Sequence, residues 1–202
     1  MANDSASGGF LAPSTDAPPQ ELDLDEVFQQ AVAGITGLPG VMVRPRVQPN
    51  NPLTGQPVTP IPNADTDWCA VSVTATVPDG GARGSLVHNG DGDGTSTLRR
   101  QEMLRVLASF YGPHSHGYAT LLRDGLTIGQ NTETLFFAGI RFVDATGITA
   151  IPDLVNGASR RRQDITFRFR RSIVRTYPIR NLVEADGTFH TETHDQNWST
   201  ES

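Results

Sequence analysis

Hydrophobic residues recur along this chain with two periods, one typical of helices and the other typical of strands. The helical period begins at Asp23, where Asp23 and Glu26 resemble a capping box, and it ends before Gly37. The same period returns in two later segments, both bounded by glycine, proline or polar residues. The pattern therefore predicts helices at 23–36, 115–130 and 132–138.

An alternating pattern of apolar and polar residues predicts the strands. Its clearest example is 163–177, where Ile165, Phe167 and Phe169 would share one face and polar residues the other. The stretch 97–111 is compatible with a helix or a strand, and we interpret it as a strand. Further strands are predicted at 41–47, 68–77, 85–88, 140–143 and 147–151, with a hairpin at 183–191 that turns at Asp186 and Gly187.

The order of these elements predicts an α+β fold, a single domain with a mainly antiparallel β-sheet flanked by two or three helices and with extended arms. A length of 202 residues suits one domain, and 20 glycines with 14 prolines leave a large share to loops and arms. We expect an acidic N-terminal arm at 1–21, disordered or ordered by a partner, and a polar C-terminal tail at 192–202. The domain itself would span 22–191, with a proline-rich loop at 48–63.

The apolar face of strand 163–177 needs a partner, because a sheet with one apolar face must bury it. The helix predicted at 115–130 is the most amphipathic candidate. The expected contacts join Ile165, Phe167 and Phe169 with Leu121, Leu122 and Ile128.

Charge is segregated along the chain, although the net charge is only −6. All 16 basic residues are arginine, and eight of them lie in 160–180 against the single Asp164, whereas 1–26 carries six carboxylates and no basic residue. Such patches can pair neighbouring subunits head to tail, because guanidinium groups bind carboxylates bidentately. The alternative is that the acidic N-terminus is a solvated tail. The predicted interface residues are Arg168, Arg170, Arg171, Asp23, Asp25 and Glu26.

The same arginines permit a second interpretation, a small nucleic-acid-binding module that uses the Arg-rich strand 160–180 on phosphate backbones. Two features disfavour nucleic-acid binding. The sequence pI is near 5.3, and Tyr177 is the one surface aromatic residue expected in this strand. We therefore favour contact between protein subunits.

Metal sites have little support in the sequence. The stretch from Asp91 to Glu102 resembles a calcium-binding loop, but Ser96 stands where the loop requires glycine and no helix precedes it. Neither histidine pair has a carboxylate nearby in a recognisable metalloenzyme frame. These pairs are His114 with His116 and His190 with His194.

Catalytic and cofactor motifs are also lacking: there is no nucleophile elbow, phosphate loop or dinucleotide fingerprint. Cys69 alone can form neither an intramolecular disulfide nor a cysteine zinc site, and we expect it to pack in the core. No apolar run approaches the roughly 20 residues that cross a bilayer, and the N-terminus lacks the features of a secretory signal. We expect no enzyme, no cofactor and no membrane contact.

Six stretches carry a more specific signal, and they lie at 37–49, 67–70, 109–113, 121–126, 130–131 and 161–177. In this order they resemble the neck or tail terminator proteins of tailed bacteriophages. The resemblance covers residues from about 37 to 183. It does not extend to the N-terminal arm, to the loop around 50–63 or to the C-terminal tail.

This resemblance implies a structural virion protein of the phage neck, assembled in the cytoplasm of the bacterial host, and not an enzyme. Terminator proteins form a ring, usually sixfold, that caps the tail tube or joins it to the head connector, and genome DNA passes through the centre. The implied partners are other copies of the chain in a homohexameric ring, the head-completion or connector protein, the tail tube or tail proteins, and DNA bound without sequence specificity.

Overall fold

The computed structural model describes residues 3–16, 18–48, 55, 59–79, 84–155, 158–182, 184–190 and 195–201. The α-helices in this part of the chain are α1 (Glu21–Thr36), α2 (Ser115–Gly125) and α3 (Glu133–Phe137). Single turns of 3-10 helix occupy Gly40–Met42 and Gly129–Thr132. None of the helices described is long and apolar enough to cross a membrane.

The strands include two long ones, which carry most of the sheet. In chain order the strands are β1 (Val43–Pro45), β2 (Trp68–Pro78), β3 (Ser85–Asn89), β4 (Thr95–Tyr111), β5 (Ile140–Ala145), β6 (Thr149–Ala150), β7 (Asp153–Val155), β8 (Ala158–Arg160), β9 (Arg162–Tyr177), β10 (Glu184–His190) and β11 (Asp195–Glu201).

Seven strands form one sheet in which β1, β2, β4, β9 and β5 are neighbours in that order, while β3 pairs with β4 and β6 with β9. The pairing of β1 with β2 is parallel, and those of β2 and β3 with β4 and of β5 and β6 with β9 are antiparallel. The strands β7 and β8 form a separate hairpin. The predicted α+β class, a mainly antiparallel sheet flanked by helices, is confirmed.

The chain divides into a larger compact unit, residues 17–83 with 100–173, and a smaller one, residues 1–16 with 84–99 and 174–202. Within the smaller unit, the N–H of Ser14 donates to the carbonyl of Thr176 at 2.8 Å. The Arg180 Nε lies 2.8 Å from the Asp4 Oδ2. The N-terminal segment therefore has partners within its own chain, and its ordering by another protein stays a prediction.

In the larger unit, the helices cover the apolar face of the sheet. The rings of Phe28 from α1 and Phe169 from β9 lie 5.0 Å apart. The predicted contact of β9 with Leu122 is confirmed by their shared core, but Leu121 and Ile128 are exposed, and their predicted burial is wrong. Ile128 lies beyond the end of α2 at Gly125, and Leu121 lies on α2 but outside its buried stripe, which consists of Ser115, Ala119 and Leu122.

Two predicted boundaries also differ from the structure. Helix α1 begins at Glu21, and no side chain caps it, so Asp23 and Glu26 form no capping box. The strand predicted at 41–47 is reduced to β1, because its first residues form the 3-10 turn. The proline-rich loop predicted at 48–63 lies mostly outside the described residues.

The C-terminal hairpin is larger than predicted. Strand β10 pairs with β11 from Glu184 opposite Glu201 to His190 opposite Asp195. The predicted turn at Asp186 and Gly187 therefore lies within β10. The segment predicted to be a polar tail supplies the second strand, since a polar hairpin can be held by its backbone hydrogen bonds without an apolar face.

The connection from β4 to α2 depends on Gly112, whose φ of 105° lies in the region that favours glycine. A Cβ there would lie 2.7 Å from the carbonyl oxygen of Thr66. Asp67 accepts a hydrogen bond from the backbone N–H of His114 at 2.9 Å, and its other oxygen lies 2.8 Å from the His114 Nδ1. The His114 side chain thus helps to fix the start of α2.

Asp25 connects α1 to an irregularity in β2. The pairing of β2 with β4 shifts register between Val73 and Ala75, and the Asp25 carboxylate accepts the Val73 N–H at 2.9 Å. Burial raises the pKa of Asp25, and this hydrogen bond opposes the rise only in part. The folded chain therefore binds the Asp25 proton more tightly than the unfolded chain, and stability decreases as the pH rises through the folded pKa.

Asp25→Ala is expected to lower the free energy of unfolding by roughly 1–3 kcal/mol, because the Val73 N–H loses its acceptor. Asp25→Asn keeps an acceptor without the cost of a charge, so at neutral pH it should be at least as stable as the natural protein. Urea unfolding of both variants at neutral and acidic pH measures this. A loss for Asp25→Asn equal to that for Asp25→Ala would contradict the role given to the hydrogen bond.

Candidate interface site

The face of the sheet opposite the helices, which we call the open face, carries arginines of β9. Along this strand Ile165, Phe167 and Phe169 are buried, whereas Arg168 and Arg170 are exposed. The two arginine side chains keep 50% and 54% of their surface exposed. The predicted alternation is confirmed, and both groups are accessible on the surface of this chain.

Each of these arginines already has a carboxylate in its own chain. The Arg168 Nε donates to the Asp144 Oδ1 at 2.6 Å, and a second nitrogen of the same guanidinium contacts the other oxygen. These hydrogen bonds hold the pKa of Asp144 below its usual value and raise the pKa of Arg168. The Arg170 Nε lies 2.8 Å from the Asp79 Oδ2. The open face therefore presents pairs of opposite charges.

Arg171 does not belong to this surface, although it was predicted to be an interface residue. Its side chain is 2% exposed and its Nε donates to the Glu102 Oε1 at 2.6 Å. Its other nitrogens donate to the carbonyl of Pro19 at 2.6 Å and to the side-chain oxygen of Gln20 at 3.3 Å. Arg171 follows the parity of Phe167 and Phe169, so the strand turns it toward the core, where it holds the start of α1.

The three predicted acidic partners on α1 have different environments. Asp23 and Glu26 are exposed, and Glu26 accepts a hydrogen bond from Gln30 at 3.3 Å. Asp25 is half-buried and engaged by Val73. Of the three, Asp23 and Glu26 are the more accessible to a neighbour.

A second group of arginines, which the sequence did not predict, surrounds a stacked aromatic pair. Trp68 of β2 and Tyr111 of β4 lie opposite each other, with ring centroids 4.2 Å apart and planes at 10°. The guanidinium carbons of Arg160 and Arg162 lie 4.4 and 5.6 Å from the Tyr111 centroid, and that of Arg44 lies 5.9 Å from the Trp68 centroid. We call these five residues the Trp68 cluster.

The remaining candidate residues have structural environments. Cys69 is buried, and burial raises the pKa of its thiol, so the reactive thiolate is disfavoured. The loop after Asp91 is held by the Asn181 side chain, which donates to the carbonyls of Gly90 and Gly92 at 2.8 and 3.0 Å. Among the residues whose side chains are described, no group of histidine, cysteine and acidic residues could hold a metal ion. His194 lies outside the described residues.

An exposed sheet face of paired charges is suited to contact with other proteins, since complementary charges set register and exclude wrong partners. Fold and surface together thus define a small α+β protein with an exposed, charged sheet face. A family model described as phage neck terminator protein matches residues 22–193, and the chain belongs to this family. No curated protein matches it. The chain is therefore a structural protein of the bacteriophage neck, located in the virion, of a family that is not known for enzyme activity.

Proposed function

We propose that copies of this chain form a ring in the neck that terminates the tail or joins it to the head connector. The ring is a homohexamer, assembled in the host cytoplasm, and genome DNA passes through its lumen without sequence-specific binding. The observation that supports an interface on the open face is the exposed pair Arg168 and Arg170, each beside a carboxylate that a neighbouring subunit or layer can share.

The pairing of charges favours a protein interface over a nucleic-acid-binding surface. A strand that clamps phosphates needs guanidinium groups without carboxylate competitors, because each bound phosphate replaces a counterion. Arg168 and Arg170 instead have Asp144 and Asp79 as partners. A lumen through which DNA slides also gains nothing from tight phosphate contacts. These two points weigh against the Arg-rich strand as a nucleic-acid-binding module.

The proposed partners of the ring are the head-completion or connector protein and the tail tube or other tail proteins. In this proposal Asp23 and Glu26 on α1 offer carboxylates to a neighbour, and the arms predicted at 1–21 and 48–63 extend the contact. Asp4 is already paired with Arg180 in the same chain, so that part of the charge complementarity acts within one subunit.

The combined change Arg168→Asp and Arg170→Asp is expected to abolish neck assembly while the monomer stays folded, because exposed ion pairs contribute at most about 1 kcal/mol. The variant is supplied to a phage that lacks a functional copy of the protein. Electron microscopy of the particles counts complete necks, and thermal unfolding of the purified variant checks the fold.

The matched control exchanges the charges of one pair, Arg168→Asp with Asp144→Arg. This exchange restores the contact inside the chain but reverses what a neighbour meets, so assembly should remain blocked. Full assembly of the exchanged variant would mean that Arg168 serves only its own subunit. Complete necks that fail to retain or pass DNA would place the arginines on the lumen. Either result would overturn the proposed interface.

A further inference from the structure

A groove lies beside the Trp68 cluster. Its lining includes the consecutive residues 45–48, which are the last residue of β1 and the bend that follows it, together with Ile61, Trp68, Ala70 and Tyr111. The groove therefore combines apolar side chains with the polar Arg46 and Gln48.

Two donors at this place are buried without an acceptor among the described residues. In this part of the chain the Trp68 Nε1 and the Arg160 Nη1 have no hydrogen-bond partner, although both residues are more than nine-tenths buried. The side-chain oxygen of Gln48, which lines the groove, finds no donor among the described residues either. Buried polar groups are rarely left unpaired, because each costs about 1–3 kcal/mol. A peptide bound in the groove can supply the acceptor that Trp68 lacks and the donor that Gln48 lacks, because both residues line it.

The charge around the groove favours an acidic ligand. The Arg160 Nη2 donates to the Asp153 Oδ2 at 2.6 Å. Arg162 donates two hydrogen bonds to the carboxylate of Asp164. Arg44 and Arg46 take part in none of the ion pairs formed by the described residues. Arg44 donates to backbone carbonyls and the exposed Arg46 to the hydroxyl of Ser109 at 3.0 Å. Of these two, Arg46 lines the groove and is thus placed for a ligand carboxylate.

A nucleotide is a poorer fit than a peptide. Base recognition by aromatic residues needs an accessible ring face. One face of Trp68 and one of Tyr111 are taken by the stacked partner ring, and both residues are almost fully buried. Burial also raises the pKa of Tyr111, while Arg162 and Arg46 lower it in part, so the phenol stays neutral and does not repel a carboxylate.

We propose that the groove lined by residues 45–48, Trp68 and Tyr111 binds a carboxylate-bearing peptide segment of another neck protein. The carboxylate pairs with Arg46, and the backbone of the segment satisfies Trp68 and Gln48. The residues of this docking site differ from Arg168 and Arg170. The docking site and the open-face interface are therefore tested independently of each other.

The test selects peptides from a random dodecapeptide library on the purified full chain, and then titrates the enriched peptides in solution. All measurements use protein that carries the change Trp198→Phe. Trp68 is then the single tryptophan of the chain, and its fluorescence emission reports occupancy of the groove. Enriched peptides are expected to carry at least two carboxylates, to shift Trp68 emission saturably, and to lose about tenfold in affinity with Arg46→Gln, the value of one charge-assisted contact. Replacing their acidic residues by amides should have the same effect.

Arg123→Gln is the matched control, because Arg123 is an exposed arginine of α2 that contacts Asp124, and its loss removes the same charge without touching the groove. Equal affinity of the Arg46→Gln variant and the natural protein would overturn the proposal. So would enrichment only of peptides without acidic residues, or failure to enrich any peptide that shifts Trp68 emission. Saturable Trp68 shifts with oligothymidylate in place of acidic peptides would assign the groove to nucleic acid and overturn it as well.

Discussion

Arg171→Met is expected to lower the free energy of unfolding by about 3–5 kcal/mol, the usual cost of removing one partner from a buried ion pair. The change leaves the Glu102 carboxylate largely buried without its cation. It also removes the donor to the Pro19 carbonyl, so the start of α1 loses its contact with β9. Methionine replaces the aliphatic part of the arginine side chain and fills part of the space, which reduces the contribution of a cavity.

Urea unfolding followed by circular dichroism measures this loss, with the slope of the transition as a check that the compactness of the unfolded chain is unchanged. The matched control is the double change Arg171→Met with Glu102→Met. It removes both charges, so it should recover much of the loss, because a buried pair replaced by apolar residues is often neutral. A single change that costs less than about 1 kcal/mol would show that Arg171 is not a structural residue. That result would return it to the set of interface candidates.

The long strands were predictable because their alternation is unbroken over many residues. In β4, Leu104, Val106, Ala108 and Phe110 fall on one face, which resolves the ambiguity between helix and strand. The same parity in β9 also indicates the burial of Arg171. Its burial was not predicted, because charged residues are almost never fully buried unless paired, and the partner Glu102 lies 69 positions away in the sequence.

The errors on α2 have a different cause. An amphipathic pattern continues past Gly125, but the chain turns there into a 3-10 segment, and pattern alone does not locate such a break. Leu122 is buried as predicted, whereas the position of Ile128 depends on a turn. Phe28 was assigned to a helix, but its contact with Phe169 joins distant parts of the chain, and periodicity within one element cannot predict it.

The Trp68 cluster could not be predicted either, because it also joins distant parts of the chain. One feature of the sequence nevertheless indicated that this end of β2 is covered. In β2 the run from Trp68 to Val71 is buried at every position, a pattern typical of a strand covered on both faces. This pattern indicates that something packs on the open face at that end of β2. Among the covering arginines, Arg160 is placed by the hairpin of β7 and β8, which is too short to give a recognisable alternation.

Phe167 lies at the centre of the core, and its replacement provides the second test of the fold. The side chain is 1% exposed, and its ring lies 6.3 Å from that of Phe142 and 6.4 Å from that of Phe169. Leu122 of α2 and Leu135 of α3 belong to the same core cluster. These neighbours come from four elements, so they cannot all move to fill a void.

Phe167→Ala is expected to lower the free energy of unfolding by about 3–5 kcal/mol, since the lost burial adds to the cost of the cavity. Phe137→Ala makes the same chemical change at a site in α3 that is 78% exposed, so its effect should stay within about 0.5 kcal/mol. Phe167→Leu removes less volume and keeps the test possible if the alanine variant does not fold. Urea unfolding of the three variants compares them directly. A loss below about 1 kcal/mol for Phe167→Ala, or equal losses at Phe167 and Phe137, would contradict a core in which β9 packs beneath the helices.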